Sequence, residues 1–135
     1  MKNIKGDIWK QKADAICITT NGVVSSKNRA VMGKGIALQA KIKVPGIDFV
    51  LAQKLKKYGN HVYLLTEEVK DQIQIIDTPF KKCKNLPYHM ISFPTKNDWK
   101  HISSMKLIQA SAKRLMKLIK QKDWNKVILP RPGCS

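Results

Sequence analysis

Apolar and polar positions fall in blocks along this chain, and the period changes from block to block. Ala15-Ile16-Cys17-Ile18 is an unbroken apolar run, so Ala13 to Thr19 predicts a strand buried on both faces. Ile4 to Trp9 predicts a shorter first strand, interrupted by Gly6-Asp7. Gly35 to Lys43 predicts a short helix stopped by Val44-Pro45-Gly46. Ile47 to Tyr58 predicts a second helix, with Phe49, Leu51, Ala52 and Leu55 as its apolar face and Gly59-Asn60 as its stop. His61 to Thr66, Gln72 to Asp77 and His89 to Phe93 predict strands, the last ending at Pro94.

A long helix follows, capped by Ser103 or Ser104 and running to about Lys122. Met105, Ile108, Ala112, Leu115 and Ile119 keep helical spacing and predict its core stripe. Lys106, Lys113, Lys117 and Lys120 fall on another face. Lys126 to Leu129 predicts a last strand, and Pro130 to Ser135 a turn. Strands alternating with helices imply a layered α/β domain. Ligands in such sheets lie at the carboxyl ends of the strands. The loops after Thr19, Phe93 and Leu129 are therefore expected to meet there.

Composition adds one strong fact. The 135 residues carry 26 Lys+Arg against 9 Asp+Glu, a formal charge of +17. That balance draws anions, whether nucleotides, nucleic acid or acidic surfaces. Most of it is lysine, which meets phosphate as a point charge. The three cysteines, Cys17, Cys83 and Cys134, show neither zinc spacing nor a disulfide framework. No metal or cofactor is expected. No apolar run reaches membrane-spanning length and Met1 to Asp7 has no signal core, so the cytoplasm is the expected compartment.

The charge gains a focus at Val31-Met32-Gly33-Lys34-Gly35-Ile36-Ala37. Two glycines let backbone approach a ligand closely, and the helix start beyond them offers unpaired N–H groups. Such an arrangement can cradle a phosphate or diphosphate. It is neither of two common nucleotide motifs. A dinucleotide fingerprint needs glycine where Leu38 stands, and a triphosphate loop needs glycine at Asn28 and Ser or Thr at Gly35.

Five short segments occur in order. They are Gly6-Asp7-Ile8, an apolar strand ending in Thr19-Thr20-Asn21-Gly22, Met32-Gly33-Lys34-Gly35-Ile36-Ala37, Ser92-Phe93-Pro94-Thr95-Lys96 with Trp99 nearby, and Leu129-Pro130-Arg131-Pro132-Gly133-Cys134. Together they resemble the macrodomain family, whose members bind ADP-ribose. The segment Phe93-Pro94-Thr95-Lys96 is similar to that of the terminal ADP-ribose glycohydrolases, the DNA ADP-ribosyl glycohydrolase antitoxins and small phage and bacterial relatives. The resemblance implies one domain over 1–135, a three-layer α/β/α macrodomain with a central mixed sheet. It also implies that the sequence lacks the family's last loop and helix, where the terminal glycohydrolases carry a catalytic aspartate.

The resemblance further implies roles. Asp7, with the Ile8 backbone, meets adenine. Asn21 lies near the distal ribose. Gly33, Lys34, Gly35 and Ile36 wrap the diphosphate and distal ribose. Gly133, Cys134 and Ser135 begin a second phosphate loop. Lys96 acts at the anomeric carbon of the distal ribose. Trp99 either shelters the site or packs at the helix entrance. Three functions fit: an ADP-ribosyl hydrolase acting on modified protein or nucleic acid, a reader that binds ADP-ribose unchanged, and a basic nucleic-acid-binding protein.

Overall fold

The computed structural model describes residues 8–76, 85–97 and 104–130. Its central sheet has the strand order β2-β5-β1-β6. Here β1 is Ala15–Asn21, β2 Tyr63–Leu64, β5 His89–Lys96 and β6 Val127–Ile128. β5, β1 and β6 run parallel, whereas β2 is antiparallel to β5, so the sheet is mixed. Among the described residues three α-helices accompany it: α1 (Gly35–Lys43), α2 (Ile47–Tyr58) and α3 (Met105–Lys122).

Strand alternation sends side chains to two separate cores. Ile16, Ile18 and Met90 pack with Ala37, Ala40, Val50, Leu51 and Leu55 of α1 and α2. Ala15, Cys17, Ile91 and Phe93 pack with Leu115 of α3. The sheet thus lies between two helical layers, and β1 is buried from Ala15 to Thr20, its Ala15–Ile18 run apolar because both of its faces are covered. Burial alone pushes the Cys17 thiol up to about 12, so it acts as a small apolar side chain. Alkylation of the native protein followed by peptide mapping is expected to leave Cys17 unmodified. No helix among the described residues is long and apolar enough to cross a membrane.

The helix ends follow local chemistry. Gly46, at φ 97°, turns the chain between α1 and α2. Ser104 caps α3, its Oγ accepting the Leu107 N–H at 3.3 Å. Along α3 the buried stripe is centred on Ser111 and Leu115, with Ile108, Ala112 and Ile119 half-buried. Met105, expected in that stripe, is instead 67% exposed. It precedes the first full turn that faces the sheet. On α2, Val50 is buried and Phe49 is only half-buried. Phe49 lies instead against the Arg29 guanidinium, which sits 5.8 Å from its ring centroid.

Three strand expectations need correction. Ile8–Lys10 is a turn of 3-10 helix, not a strand end. The buried Trp9 ring fixes it there, its Nε1 donating to Gln39 Oε1 of α1 at 2.7 Å. The rest of that expected strand, 4–7, lies outside the described residues. β5 does not stop at Pro94 but continues to Lys96. Proline is excluded from strands paired on both sides. β2 pairs only with Ile91 and Ser92, so further along β5 is paired with β1 alone.

Finally, residues 61–76 form more than two separate strands. A hairpin of β3 (Thr66–Val69) and β4 (Gln72–Ile75) follows β2. Its two-residue turn, Lys70-Asp71, has φ 52° and 64°, the left-handed pair that suits a hairpin. Neither residue is glycine, which is why the turn is silent in the sequence. The double change Lys70→Asn, Asp71→Gly is expected to raise stability by about 1 kcal/mol, read as a higher melting temperature.

The hairpin is fastened to the amino end of β5. Thr66 Oγ1 accepts the Met90 N–H at 3.2 Å and shares a 2.7 Å hydrogen bond with His89 Nδ1. His89 Nε2 lies 3.2 Å from Glu68 Oε1, and its ring stacks 5.2 Å from Trp124. This cluster is at the opposite end of the sheet from the residues considered next.

Candidate functional site

After β1 the chain passes to the layer of α1 and α2, and after β5 it passes to α3 on the other face. Two parallel neighbours whose connections leave in opposite directions open a crevice between their carboxyl ends. β1 and β5 are such a pair. Their last partners in register are Asn21 and Lys96, brought together by a register shift between Thr20 and Asn21. Two residues far apart in sequence thus end adjacent strands at the mouth of the crevice. Lys96 is half-buried there.

The segment between β1 and α1 is more ordered than a polar loop. Val24 bridges Ala30 in antiparallel fashion, and Val31 donates its N–H to Val23 O at 2.9 Å. Ser25 N–H donates to Arg29 O at 2.7 Å and Asn28, at φ 58°, turns the tip. Buried Ala30 and Met32 pin this small ribbon into the core. The ribbon is also tied to α2, because Ala30 N–H donates to Asp48 O at 3.0 Å. Asp48 is itself buried, and its Oδ1 accepts from Arg29 Nη1 and from Phe49 N–H, each at 3.0 Å.

Asn21 joins the strand end to the ribbon. Its Oδ1 accepts the Val23 N–H at 3.0 Å, and its Nδ2 donates to Val31 O at 3.2 Å. The amide therefore sets the path of the chain just before Gly33. Beyond it Gly33, Lys34 and Gly35 are exposed, and a Cβ built on Gly33 would meet no atom within 4 Å. Gly35, at φ 59°, adopts a conformation that side chains rarely enter. Among the described residues no side chain caps α1. Its first N–H groups have no partners within the helix, so the Gly33–Ile36 turn presents backbone donors and the positive end of a helix dipole.

Asn60 belongs to this site, although the sequence marks it only as a helix stop after Gly59. Its Nδ2 donates to Lys96 O at 3.2 Å and to Asn97 Oδ1 at 3.0 Å. It packs on Gly22, where an added Cβ would lie 2.8 Å from both Asn60 Cγ and Nδ2. Asn60 thus clamps the end of β5 against the residue that follows β1. Two buried polar atoms near these strand ends, Thr19 Oγ1 and Asn60 Oδ1, have no hydrogen-bond partner among the described residues. Orphaned polar atoms concentrate where function rather than stability shapes a site.

The structure therefore brings Asn21, Lys96 and the Gly33–Ile36 turn to one end of the sheet. Ile8 lies against the core shared by α1 and α2. Asp7, Trp99, Gly133, Cys134 and Ser135 lie outside the described residues. A cavity of about 570 Å³ runs along α2 between Phe49, Gln53, Tyr58 and Ile76, and none of the candidate residues among the described ones lines it. The strand-end crevice is the better site, because there the chain topology, open glycines and orphaned polar atoms coincide.

No family model matches the chain. Individual relatives do. A DNA ADP-ribosyl glycohydrolase of Mycobacterium tuberculosis is 31% identical over 128 residues, covering 95% of this chain and 32% of that protein. A DNA ADP-ribosyl transferase-DNA ADP-ribosyl glycohydrolase fusion protein of Thermosipho africanus is 24% identical over 136 residues, covering 98% of this chain and 34% of that protein. The chain spans about a third of the length of these curated relatives. Among solved structures, the macrodomain of Mycobacterium tuberculosis DarG superposes with a TM-score of 0.72 at 27% identity, covering 97% of this chain and 75% of that one. Thermosipho africanus DarTG in complex with ADP-ribose superposes with a TM-score of 0.74 at 25% identity, covering 97% of this chain and 32% of that one.

Proposed function

Taking as premise that the chain is a macrodomain similar to those of DarG, we propose that it binds ADP-ribose between the carboxyl ends of β1 and β5 and hydrolyses the bond joining it to a nucleobase. The pairing of Asn21 with Lys96 carries this reading, with the open Gly33–Gly35 turn held in place by the Asn21 amide. The names of the relatives, DNA ADP-ribosyl glycohydrolases, and the ADP-ribose bound to the Thermosipho africanus protein support it.

In this reading the N–H groups of the turn receive the diphosphate, and Lys34 adds a positive charge. Asn21 orients the distal ribose. The Lys96 amine gives its lone pair to the anomeric carbon. The bond from that carbon to the base breaks, and the base leaves with the electron pair and takes up a proton. The bond from the anomeric carbon to the ring oxygen then breaks, a proton passes from the amine nitrogen to that oxygen, and a Schiff base is left on Lys96. Water then adds to it, releasing ADP-ribose and restoring the amine. Asp7 at the adenine and Gly133, Cys134 and Ser135 over the diphosphate complete the proposed ligand set.

Calorimetry with free ADP-ribose tests the binding. Saturable heat at micromolar ligand is expected, and none at high micromolar ligand would remove the proposal. Gly33→Val sharpens the test. Open space surrounds the position, so the fold is expected to keep its melting temperature. The added methyl groups would stand where the diphosphate must approach backbone, so affinity is expected to fall at least about tenfold. Undiminished binding would place the ligand elsewhere.

A further inference from the structure

α3 carries an unpaired cationic line. Lys106, Lys113, Lys117 and Lys120 are all exposed and lie on the helix face opposite buried Ser111 and Leu115. No acidic residue occurs between Met105 and Lys122, and none of the four lysines has an ion-pair partner among the described residues. Several lysines of α1 and α2 find local partners. Lys43 lies over the Trp9 ring, Lys54 and Lys57 flank Tyr58, and Lys56 donates to Asn28. Like charges three and four residues apart, as at Lys113, Lys117 and Lys120, repel along a helix and destabilise it. A bound polyanion would remove that repulsion.

The line also has a direction. Ser104 N–H donates to Thr95 O at 2.8 Å, and Ser111 Oγ donates to Pro94 O at 2.9 Å. The start of α3 is therefore fastened to β5 just before Lys96. From Lys106 the lysines run away from the crevice for roughly 20 Å at 1.5 Å per residue. That length suits the backbone of a few nucleotides of one strand. A base that carries ADP-ribose must swing out for the linking bond to reach the crevice, which also favours a single strand.

We infer that the Lys106–Lys113–Lys117–Lys120 face of α3 holds the phosphate backbone of single-stranded DNA and leads the modified nucleotide to the crevice at Lys96. The clause about the modified nucleotide rests on the function proposed above; the docking of the strand does not. The contact is electrostatic and independent of sequence.

The test uses the whole chain with Lys106, Lys113, Lys117 and Lys120 all changed to Gln, a residue of similar helix propensity. Binding of an unmodified single-stranded oligodeoxynucleotide is followed by fluorescence anisotropy over a series of salt concentrations. The slope of log affinity against log salt is expected to flatten by about 3, at roughly 0.7 per lost single-strand contact. Free ADP-ribose affinity, from calorimetry, is expected to stay unchanged and to report an intact fold. A variant with Lys54, Lys56 and Lys57 changed to Gln controls for charge and is expected to keep most of the slope. With an ADP-ribosylated oligonucleotide, the α3 variant is expected to show a raised KM and an unchanged kcat. An unaltered slope in the α3 variant, or an equal loss in the α2 control, would overturn the inference. Absence of oligonucleotide binding by the unsubstituted protein would overturn it too, while leaving the ADP-ribose reading standing. Failure of ADP-ribose to bind would sink the proposed function, and the salt slope would still decide the docking face.

Discussion

Lys96→Ala is expected to bind ADP-ribose within a few-fold of the unsubstituted protein and to release it from modified DNA at least about 100-fold more slowly. The asymmetry follows from the geometry. In the proposed site, recognition is spread over backbone donors of the Gly33–Ile36 turn and the Asn21 amide, whereas the amine is a single group at the end of β5. A second readout separates a nucleophile from a cation that only stabilises charge. Cyanoborohydride present during turnover would reduce a lysine Schiff base to a stable secondary amine, leaving a mass increment on the Lys96 peptide. Equal release by Lys96→Ala would reject the assigned role. Release that is lost without any trapped adduct would make Lys96 an electrostatic group.

Asn60→Ala is expected to damage both the fold and the chemistry. The amide is the link between Lys96 O, Asn97 and the Gly22 backbone. Removing it leaves a carbonyl at the strand end without its donor, at a cost of about 1–3 kcal/mol. A shift of the Lys96 backbone by ~1 Å would slow the reaction on the order of 100-fold. Gly22→Ala approaches the same contact from the other side, since its new Cβ would sit 2.8 Å from the amide. The two variants are expected to lower the melting temperature and slow release together. Their double mutant is expected to lose less than the sum, because Asn60→Ala removes the group the new Cβ strikes. Strict additivity in that cycle would show that the contact does not operate as described.

Local signals made the helices legible and left the site only half so. α1 and α2 begin and end where the sequence places them, because Pro45, Gly46 and Gly59 are strong punctuation and Ser104 is a strong cap. The buried strand β1 was equally plain from its apolar run. Two features depend on non-local facts instead. β5 outruns Pro94 because β2 is short, and the length of a neighbour cannot be read from the strand itself. The hairpin turn at Lys70-Asp71 reaches positive φ without glycine.

At the site, Asn21, Lys96 and the glycine turn stand out by motif, and parallel pairing of β1 with β5, with the Asn21 amide holding the ribbon, brings them together. Asn60 and Asp48 do not stand out. Each works through a contact whose partner is distant in the chain, Asn60 with Lys96 and Asp48 with Arg29, and no spacing rule anticipates it.

The order in which the strands sit constrains how the molecule can be made. β1, an inner strand, is drawn from residues 15–21, and its partners β5 and β6 come much later, from 89–96 and 127–128. A ribosome delivers β1 long before anything can pair with it. Until then its Ile16-Cys17-Ile18 stretch is bare and prone to stick to other chains. Closing such long intervals makes folding slow. Overexpressed protein is therefore expected to gain yield from lowered temperature or added chaperone, and nascent fragments that stop before β5 to aggregate.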